Sequence, residues 1–140
     1  MTTLGADEAR RRFAQGRVAR MATVRPDGRP HLVPIVFAVD GDTIYSGVDE
    51  KPKRTPELTR LENIRANPNV AVVVDHYDDA WDAVWWTRAD GTASVEEEGT
   101  ARARAIELLT AKYRQYEDGT EPIGAAVVVR VSRWTGWSYT

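Results

Sequence analysis

Residues 17–54 read RVARMATVRPDGRPHLVPIVFAVDGDTIYSGVDEKPKR, and this stretch decides the fold. Apolar and polar residues alternate along Arg17–Val24, which predicts a half-buried strand. Pro26-Asp27-Gly28 predicts a turn, because proline presets one backbone dihedral and glycine accepts a positive φ. Two further strands are predicted at His31–Val39 and Thr43–Val48. The stretch is therefore expected to form a three-stranded meander that ends in a basic turn.

The remainder of the chain predicts three helices and several more strands. The helices are expected at residues 6–15, 56–66 and 100–117, and Gly16 suits the left-handed position after the first of them. Asp90-Gly91 predicts a turn between two strands. Apolar runs predict the strands Val70–Val74, Ala83–Thr87, Thr92–Val95, Ala125–Val131 and Ser132–Tyr139. Short, mostly antiparallel strands with few helices indicate a mainly β protein, either a small barrel or a sandwich.

Length and composition limit the classes of protein that this chain can be. Its 140 residues, 42% hydrophobic and 29% charged, are typical of one soluble globular domain, expected to span residues 1–140. No apolar run approaches the length of a membrane span, and the N-terminus lacks the pattern of a signal peptide, so a cytoplasmic location is expected. A net charge of −2 argues against a nucleic-acid partner. The absence of cysteine excludes disulfides and thiolate metal sites.

The basic turn after the meander is the best candidate for a binding site. It lies directly before a predicted helix N-terminus, where unpaired N–H groups and the helix dipole favour an anion. A phosphate placed there would receive charge-assisted hydrogen bonds from several side chains. An alternative is a solubilising loop whose cations offset Asp49 and Glu50. The candidate ligands of the anion are Lys51, Lys53, Arg54 and Thr55, with Arg60 about one and a half turns into the helix.

Tryptophan is the second signal, with five residues in a short chain. Trp85 and Trp86 are adjacent in a predicted strand, so one ring should lie on each side of it. One side can serve the core, whereas the other requires a pocket, a ligand or a partner subunit. For most of the tryptophans, core packing alone is the alternative.

Other catalytic or metal sites find no support. His31 and His76 are the only histidines, and neither has a carboxylate at metal-ligand spacing, so both are expected to be surface or hydrogen-bonded residues and no metal site is expected. The chain contains no arrangement resembling a Ser-His-Asp set and no glycine-rich nucleotide-binding motif. Hydrolase, kinase and Rossmann functions are therefore not indicated.

Several stretches, taken in order, resemble the split β-barrel flavin and deazaflavin superfamily that contains pyridoxamine-phosphate oxidase. Within it, the similarity is greatest to the small probable coenzyme F420-dependent enzymes. The likeness covers roughly residues 6–137. Its motifs are ARMATVRPDGRPH at residues 19–31, KPKRT at 51–55, LENIRANPNV at 61–70, WW-x-RADGTA at 85–93 and KY-x-x-Y at 112–116.

The resemblance implies a homodimer with two cofactor sites at the subunit interface. The tricyclic ring would lie against the strands around residues 32–37 and 44–47. Lys51, Lys53, Arg54 and Thr55 would meet the phosphate, with Arg60 nearby, and which basic residue holds it stays open. The arginine-x-x-leucine-leucine-lysine phosphate pattern of the FMN-using oxidase is not visible here, which favours F420 and leaves FMN as the alternative. The expected cofactor contacts are Leu32, Val33, Pro34, Ile35, Val36, Lys51, Lys53, Arg54, Thr55, Arg60, Trp85 and Trp86.

The chemistry implied by the resemblance is hydride transfer from reduced deazaflavin to an electrophilic carbon or a conjugated double bond of a small molecule. No catalytic side chain is assigned. His31 and Tyr45 are possible proton donors, and solvent could also serve. Two alternatives remain, an FMN-binding oxidase or reductase on the same barrel and a non-catalytic cofactor-binding protein.

Overall fold

A computed structural model describes residues 1–48, 56–116 and 123–140, with the side chains of the second range described from residue 59. Three α-helices span Ala6–Gln15 (α1), Pro56–Ala66 (α2) and Thr100–Lys112 (α3), and short 3₁₀ helices span Trp81–Ala83 and Arg114–Tyr116. The strands are Thr2–Thr3 (β1), Ala19–Val24 (β2), Pro30–Ile35 (β3), Ala38–Asp40 (β4), Thr43–Gly47 (β5), Asn69–His76 (β6), Trp85–Glu96 (β7) and Ala126–Ser138 (β8).

All the strands belong to one antiparallel sheet. Its order is β3-β2-β6-β7-β8-β5-β4, and β1 pairs with the end of β8. The sheet curls so that alternate residues point inward, as Met21 on β2 does opposite Val72 on β6. The prediction of a mainly β, antiparallel protein is confirmed. Among the described helices, none has the length and apolar character needed to cross a membrane.

The main core fills the inner side of the sheet around an aromatic residue of α1. Phe13 is fully buried, and its ring meets those of Phe37 and Trp134 edge-on, at centroid distances of 5.0 Å and 5.2 Å. Ala9 and Phe13 share the buried face of α1, as the helical spacing predicts. Burying one phenylalanine contributes roughly 1.5–3 kcal/mol, so this residue is a large part of what fixes α1 against the sheet.

A smaller second core lies on the outer side of β4, β5 and the first half of β8, where α3 covers the sheet. Leu109 and Tyr113 pack there against Ala38 and Val128. The Tyr113 hydroxyl accepts a hydrogen bond from the Phe37 N–H over 3.1 Å. α1 and α2 place their buried residues in the main core on the inner side, whereas α3 contacts β4, β5 and β8. Among the described helices, none therefore has its main contacts on the outer side of β3, β2, β6 and β7.

Three of the predicted strand boundaries are wrong. The predicted strand His31–Val39 is divided at Val36 and Phe37, since the chain leaves its pairing with β2 after Ile35 and joins β5 at Ala38. Asp90-Gly91 forms no turn, because β7 continues through it as one strand with a shift in register. The two strands predicted in residues 125–139 are likewise the single strand β8, since β7 pairs with it along its whole length.

The ends of two helices also differ from the prediction, although the predicted spans 6–15 and 56–66 are confirmed. α3 ends at Lys112 and not at residue 117, because Tyr113 is extended and its hydroxyl reaches the backbone of Phe37. Gly16 has a φ of −65° and is not left-handed. Its lack of a side chain serves close packing, since a Cβ there would lie 2.7 Å from Val74.

Candidate functional site

The predicted basic turn lies outside the described residues. This concerns Lys51, Lys53, Arg54 and Thr55, four of the expected phosphate contacts. The structure does describe Arg60, the fifth of them, and the face of α2 that meets the sheet. The described part of the site therefore consists of α2 and the strands against which it packs.

Four polar side chains are buried between α2 and the strands β2 and β3. Thr23 and His31 are directly opposite each other across the β2–β3 pair. Arg60 and Asn63 face them from consecutive turns of α2, and Arg60 is only 6% exposed. Asn63 donates a hydrogen bond of 3.0 Å from Nδ2 to Oγ1 of Thr23. We call this group, Thr23, His31, Arg60 and Asn63, the α2 polar cluster.

His31 is the titratable member of this cluster whose pKa is affected by its surroundings. It is 8% exposed, and its Nδ1 atom makes no hydrogen bond to any part of the chain that the structure describes. Burial lowers the pKa of His31, and the positive charges of Arg25 and Arg60 lower it further. The expectation that His31 lies at the surface is therefore wrong. Strand alternation places this side chain inward, where the guanidinium groups of Arg25 and Arg60 are close enough to affect its pKa.

An unpartnered buried nitrogen beside a buried cation is a suitable environment for an anionic group. An anion there could accept a hydrogen bond from Nδ1 of His31, which removes the cost of leaving that atom unsatisfied. The residues present thus fit the phosphate of a cofactor. For a metal ion, no comparable arrangement is found in the part of the chain that the structure describes. Residues 1–48, 56–116 and 123–140 contain no group of three or more His, Cys, Asp or Glu side chains placed to hold an ion.

The expected contacts at residues 32–36, on β3 and directly after it, do not form one surface. Leu32 and Pro34 point outward, and Leu32 is 66% exposed. Val33 and Ile35 point inward to the main core, whereas Val36 packs against the second core beneath α3. Only the outward pair is therefore presented to a ligand or to another subunit.

Trp85 and Trp86 lie on opposite sides of β7, as their adjacency predicts. Trp85 packs against the main core, and its ring stacks on that of His76 with centroids 6.0 Å apart. Trp86 is half-buried on the outer face, opposite Trp137 of β8, and the guanidinium of Arg88 lies 5.7 Å from its ring centroid. Trp86 therefore shares the outer face of the sheet with Leu32 and Pro34.

The two possible proton donors lie in different parts of the molecule. His31 belongs to the α2 polar cluster, whereas Tyr45 is half-buried against the second core beneath α3. The structure therefore does not bring them together as one acid–base pair.

Two cavities meet at the start of β2, and the sequence did not indicate them. One of about 430 Å³ is lined by Arg17, Arg20 and Asp75 together with His76 and Trp85. Another of about 390 Å³ is lined by Arg17, Val36, Tyr113 and Tyr116 among others. Arg17 and Val18 line both. Each cavity thus contains one expected cofactor contact, Trp85 or Val36, but neither contains both.

Sequence reasoning also missed Thr23 and Asn63. A signal for both was present: Thr23 follows Met21 at an inward position of β2, and Asn63 lies between Leu61 and Ile64 on the buried side of α2. A polar residue at a position that the pattern reserves for apolar ones indicates a buried hydrogen bond or a site.

Comparison with known proteins agrees with this architecture. A family model described as pyridoxamine 5′-phosphate oxidase matches residues 6–138. No protein of curated function matches the sequence significantly. A conserved hypothetical protein of Mycobacterium tuberculosis is similar in structure, with a TM-score of 0.77 and 22% identity over 96% of this chain and 85% of the other.

Two similar structures are described as FAD-binding proteins. That from Mesorhizobium loti has a TM-score of 0.74 and 21% identity, covering 96% of this chain and 93% of its own. That from Mycobacterium smegmatis has a TM-score of 0.69 and 21% identity, covering 99% of this chain and 100% of its own. These similarities establish the fold, so the predicted split antiparallel β-barrel is confirmed.

Proposed function

The chain belongs to the pyridoxamine 5′-phosphate oxidase family, and on that premise we propose that it is an F420-dependent oxidoreductase that reduces an electrophilic or conjugated small molecule. The observation that carries the proposal is the α2 polar cluster. A buried arginine, Arg60, lies beside an unsatisfied histidine nitrogen on the first helix after the segment KPKRT. That arrangement favours the binding of a phosphorylated cofactor at the start of α2.

The proposed cofactor contacts divide into two groups. Lys51, Lys53, Arg54 and Thr55, with Arg60, would hold the phosphate. Leu32, Pro34 and Trp86 would offer apolar surface to the ring, since all three lie on the outer face of the sheet that no described helix covers. When bound, reduced deazaflavin would supply a hydride to the substrate.

A homodimer is part of the same proposal. The outer face of β3, β2, β6 and β7 carries apolar residues that are only partly covered, among them Leu32, Val73 and Trp86. A second copy placed there would bury this surface and exclude water from a ring held between the two sheets. Exclusion of water strengthens the electrostatic contacts around the reacting atoms.

The protein's contribution would be to bind and orient cofactor and substrate. His31 has a lowered pKa, so at neutral pH it is uncharged and could share one hydrogen bond with a bound anion through Nδ1. It would thus position the phosphate, while the proton that completes the reduction would come from solvent. Leu32 and Pro34 would orient the cofactor ring, and Trp86 would offer apolar surface elsewhere on the same face.

A flavin is the second candidate cofactor, because two similar structures are described as FAD-binding proteins. An FMN-dependent oxidase or reductase would use the same phosphate contacts. A non-catalytic cofactor-binding protein is the remaining alternative, and oxidation of the bound reduced cofactor by any acceptor would exclude it.

The test is a titration of the protein with F420 and with FMN at low and high salt, for the parent and for the double variant Lys53→Ala/Arg54→Ala. The double variant should bind the preferred cofactor more weakly by roughly 2–5 kcal/mol, since each charged hydrogen bond contributes about 1.5–3 kcal/mol. The difference should shrink at high salt, where the charges are screened.

Two single variants on α2 serve as a matched pair. Arg60→Ala should also weaken binding, whereas Arg65→Ala should not, because Arg65 lies in the last turn and its exposed side chain pairs with Glu97. Equal affinity of the parent, the double variant and Arg60→Ala for both cofactors would refute the site. Tighter binding of FMN than of F420 would establish the flavin alternative.

A further inference from the structure

A second potential site lies away from the α2 polar cluster, where the β6–β7 connection meets the end of β8. A pocket of about 250 Å³ there is lined by Met1, Tyr77, Trp81, Val84, Trp137 and Tyr139. We call it the aromatic pocket. Tyr77 is 65% and Trp81 is 60% exposed, so two of its four aromatic rings present most of their surface to solvent.

Three of the rings that line the pocket meet edge to face and do not stack. Tyr139 meets Trp81 at an interplanar angle of 66° and Trp137 at 85°, with centroids 6.4 Å and 6.3 Å apart. Nε1 of Trp81 donates a hydrogen bond of 3.3 Å to the hydroxyl of Tyr77, which fixes the fourth ring. Because these rings meet edge to face, they do not cover one another's electron-rich faces as stacked rings would.

The connection between β6 and β7, which carries Tyr77 and Trp81, is acidic. Asp78, Asp79 and Asp82 all lie within it and are exposed. Asp78 accepts a hydrogen bond from the backbone N–H of Ala80 over 2.8 Å, which holds the loop in shape. None of the three carboxylates forms an ion pair with any residue of the described ranges. The aromatic pocket therefore adjoins a connection that carries three exposed carboxylates next to Tyr77 and Trp81 in the chain.

Aromatic faces and negative charge attract the same class of ligand. A cation is stabilised over an aromatic face within about 6 Å of the ring centroid, and an apolar surface favours a cation that carries methyl groups over one that is strongly hydrated. We propose that the aromatic pocket binds a small organic cation of the trimethylammonium type. This proposal is independent of the proposed oxidoreductase function.

The charge also argues against the main alternative, in which a second copy covers the pocket. If the pocket lay on the two-fold axis of a homodimer it would meet its own copy, and two sets of three aspartates would face each other. That contact would be disfavoured by like-charge repulsion. A small cation would instead gain from the same charges.

The experiment is a calorimetric titration of the protein with choline and with 3,3-dimethylbutan-1-ol, in which carbon replaces the charged nitrogen. Choline should bind saturably, and the neutral alcohol at least about 10-fold more weakly, because it has the same shape but no charge. Choline affinity should fall as salt is raised. Equal affinity for the two compounds, or no binding of choline, would overturn the proposal.

Variants locate the binding. Trp81→Leu keeps an apolar side chain but removes the ring, and should weaken choline binding about 5–30-fold. Asp82→Asn should weaken it about 2–5-fold at low salt only. Glu98→Gln, an equally exposed carboxylate elsewhere, should leave it unchanged. If all three variants bind like the parent, the aromatic pocket is not the site.

Two further measurements distinguish a soluble cation from a lipid headgroup and from a second subunit. In cosedimentation with phosphatidylcholine vesicles, vesicle binding without choline binding would overturn the proposal in favour of a lipid surface. Circular dichroism establishes that Trp81→Leu is folded, and Tyr139→Leu replaces it if it is not. A dimer that dissociates in Trp81→Leu, together with no choline binding, would assign the pocket to a subunit interface.

Discussion

Asn63 on α2 donates a hydrogen bond from Nδ2 to Oγ1 of Thr23 on β2, and both side chains are only 2% exposed. This bond fixes α2 on the sheet one turn away from Arg60. The position of the buried arginine relative to His31 therefore depends on it. The fold and the proposed function both depend on this contact, because α2 and β2 supply residues to the core and to the proposed anion site.

Removing this hydrogen bond should destabilise the fold. Asn63→Ala should lower the free energy of unfolding by about 2–3 kcal/mol, because it leaves the Thr23 hydroxyl buried and unsatisfied. Thr23→Val should lower it by about 1–2 kcal/mol, since the shape is kept but the amide loses its partner. Urea unfolding measures both. Strictly additive losses in the double variant would show that the two side chains do not interact.

His31 should make stability depend on pH. Its folded pKa is lowered by burial and by Arg25 and Arg60, so below its usual value of 6.5 the unfolded chain binds more protons than the folded one. Stability should therefore fall as the pH decreases from about 6.5 through the folded pKa. His31→Gln should flatten this decrease in urea unfolding between pH 7 and pH 5. Identical slopes for the two proteins would contradict the buried, low-pKa assignment.

The same histidine should report on the bound anion. A phosphate beside Nδ1 favours the protonated imidazole, so the pKa of His31 should rise on cofactor binding. Titration of the imidazole signals by NMR, with and without cofactor, measures the change. An unchanged pKa of His31 at saturating cofactor would contradict a phosphate at Nδ1.

Lys112 should make the free energy of unfolding depend on pH in the alkaline range. Its ammonium lies 3.8 Å from the ring centroid of Phe37, and burial, with a smaller effect of Arg17, lowers its pKa from 10.5 to about 8. Between these values the unfolded chain binds more protons, so the free energy of unfolding should rise with pH. Lys112→Met should lack this rise between pH 7.5 and 9.5. Because Tyr113 titrates in both proteins, the difference between the two curves isolates the lysine.

Gly91 should tolerate no side chain. A Cβ at this position would lie 2.3 Å from the carbonyl oxygen of Arg130, where β7 shifts its register on β8. Gly91→Ala should lower the free energy of unfolding by about 2–4 kcal/mol, because two paired backbones must separate. Gly5→Ala is the control, since a Cβ at Gly5 would meet no atom within 4 Å. Losses of similar size in the two variants would refute the close approach.

The sequence by itself determined the type and position of most elements. The alternation in Arg17–Val24 and the helical spacing of Ala9 and Phe13 appear in the structure as an inward-facing strand and a buried helix face. These patterns are local: each follows from the period of one element and from which of its sides avoids water. The side of Trp85 and of Trp86 on β7 was predictable for the same reason.

Only the tertiary structure decided where strands divide, which polar groups are buried, and what meets in space. Asp90-Gly91 reads as a turn in isolation, but it continues as strand because β6 and β8 both pair with β7 there. His31 and Arg60 are 29 positions apart, and nothing local indicates that a helix packs one against the other. The aromatic pocket likewise joins Tyr77 to Tyr139 across a sheet. Such contacts depend on strand order and on helix packing, which the hydrophobic pattern of a single segment does not encode.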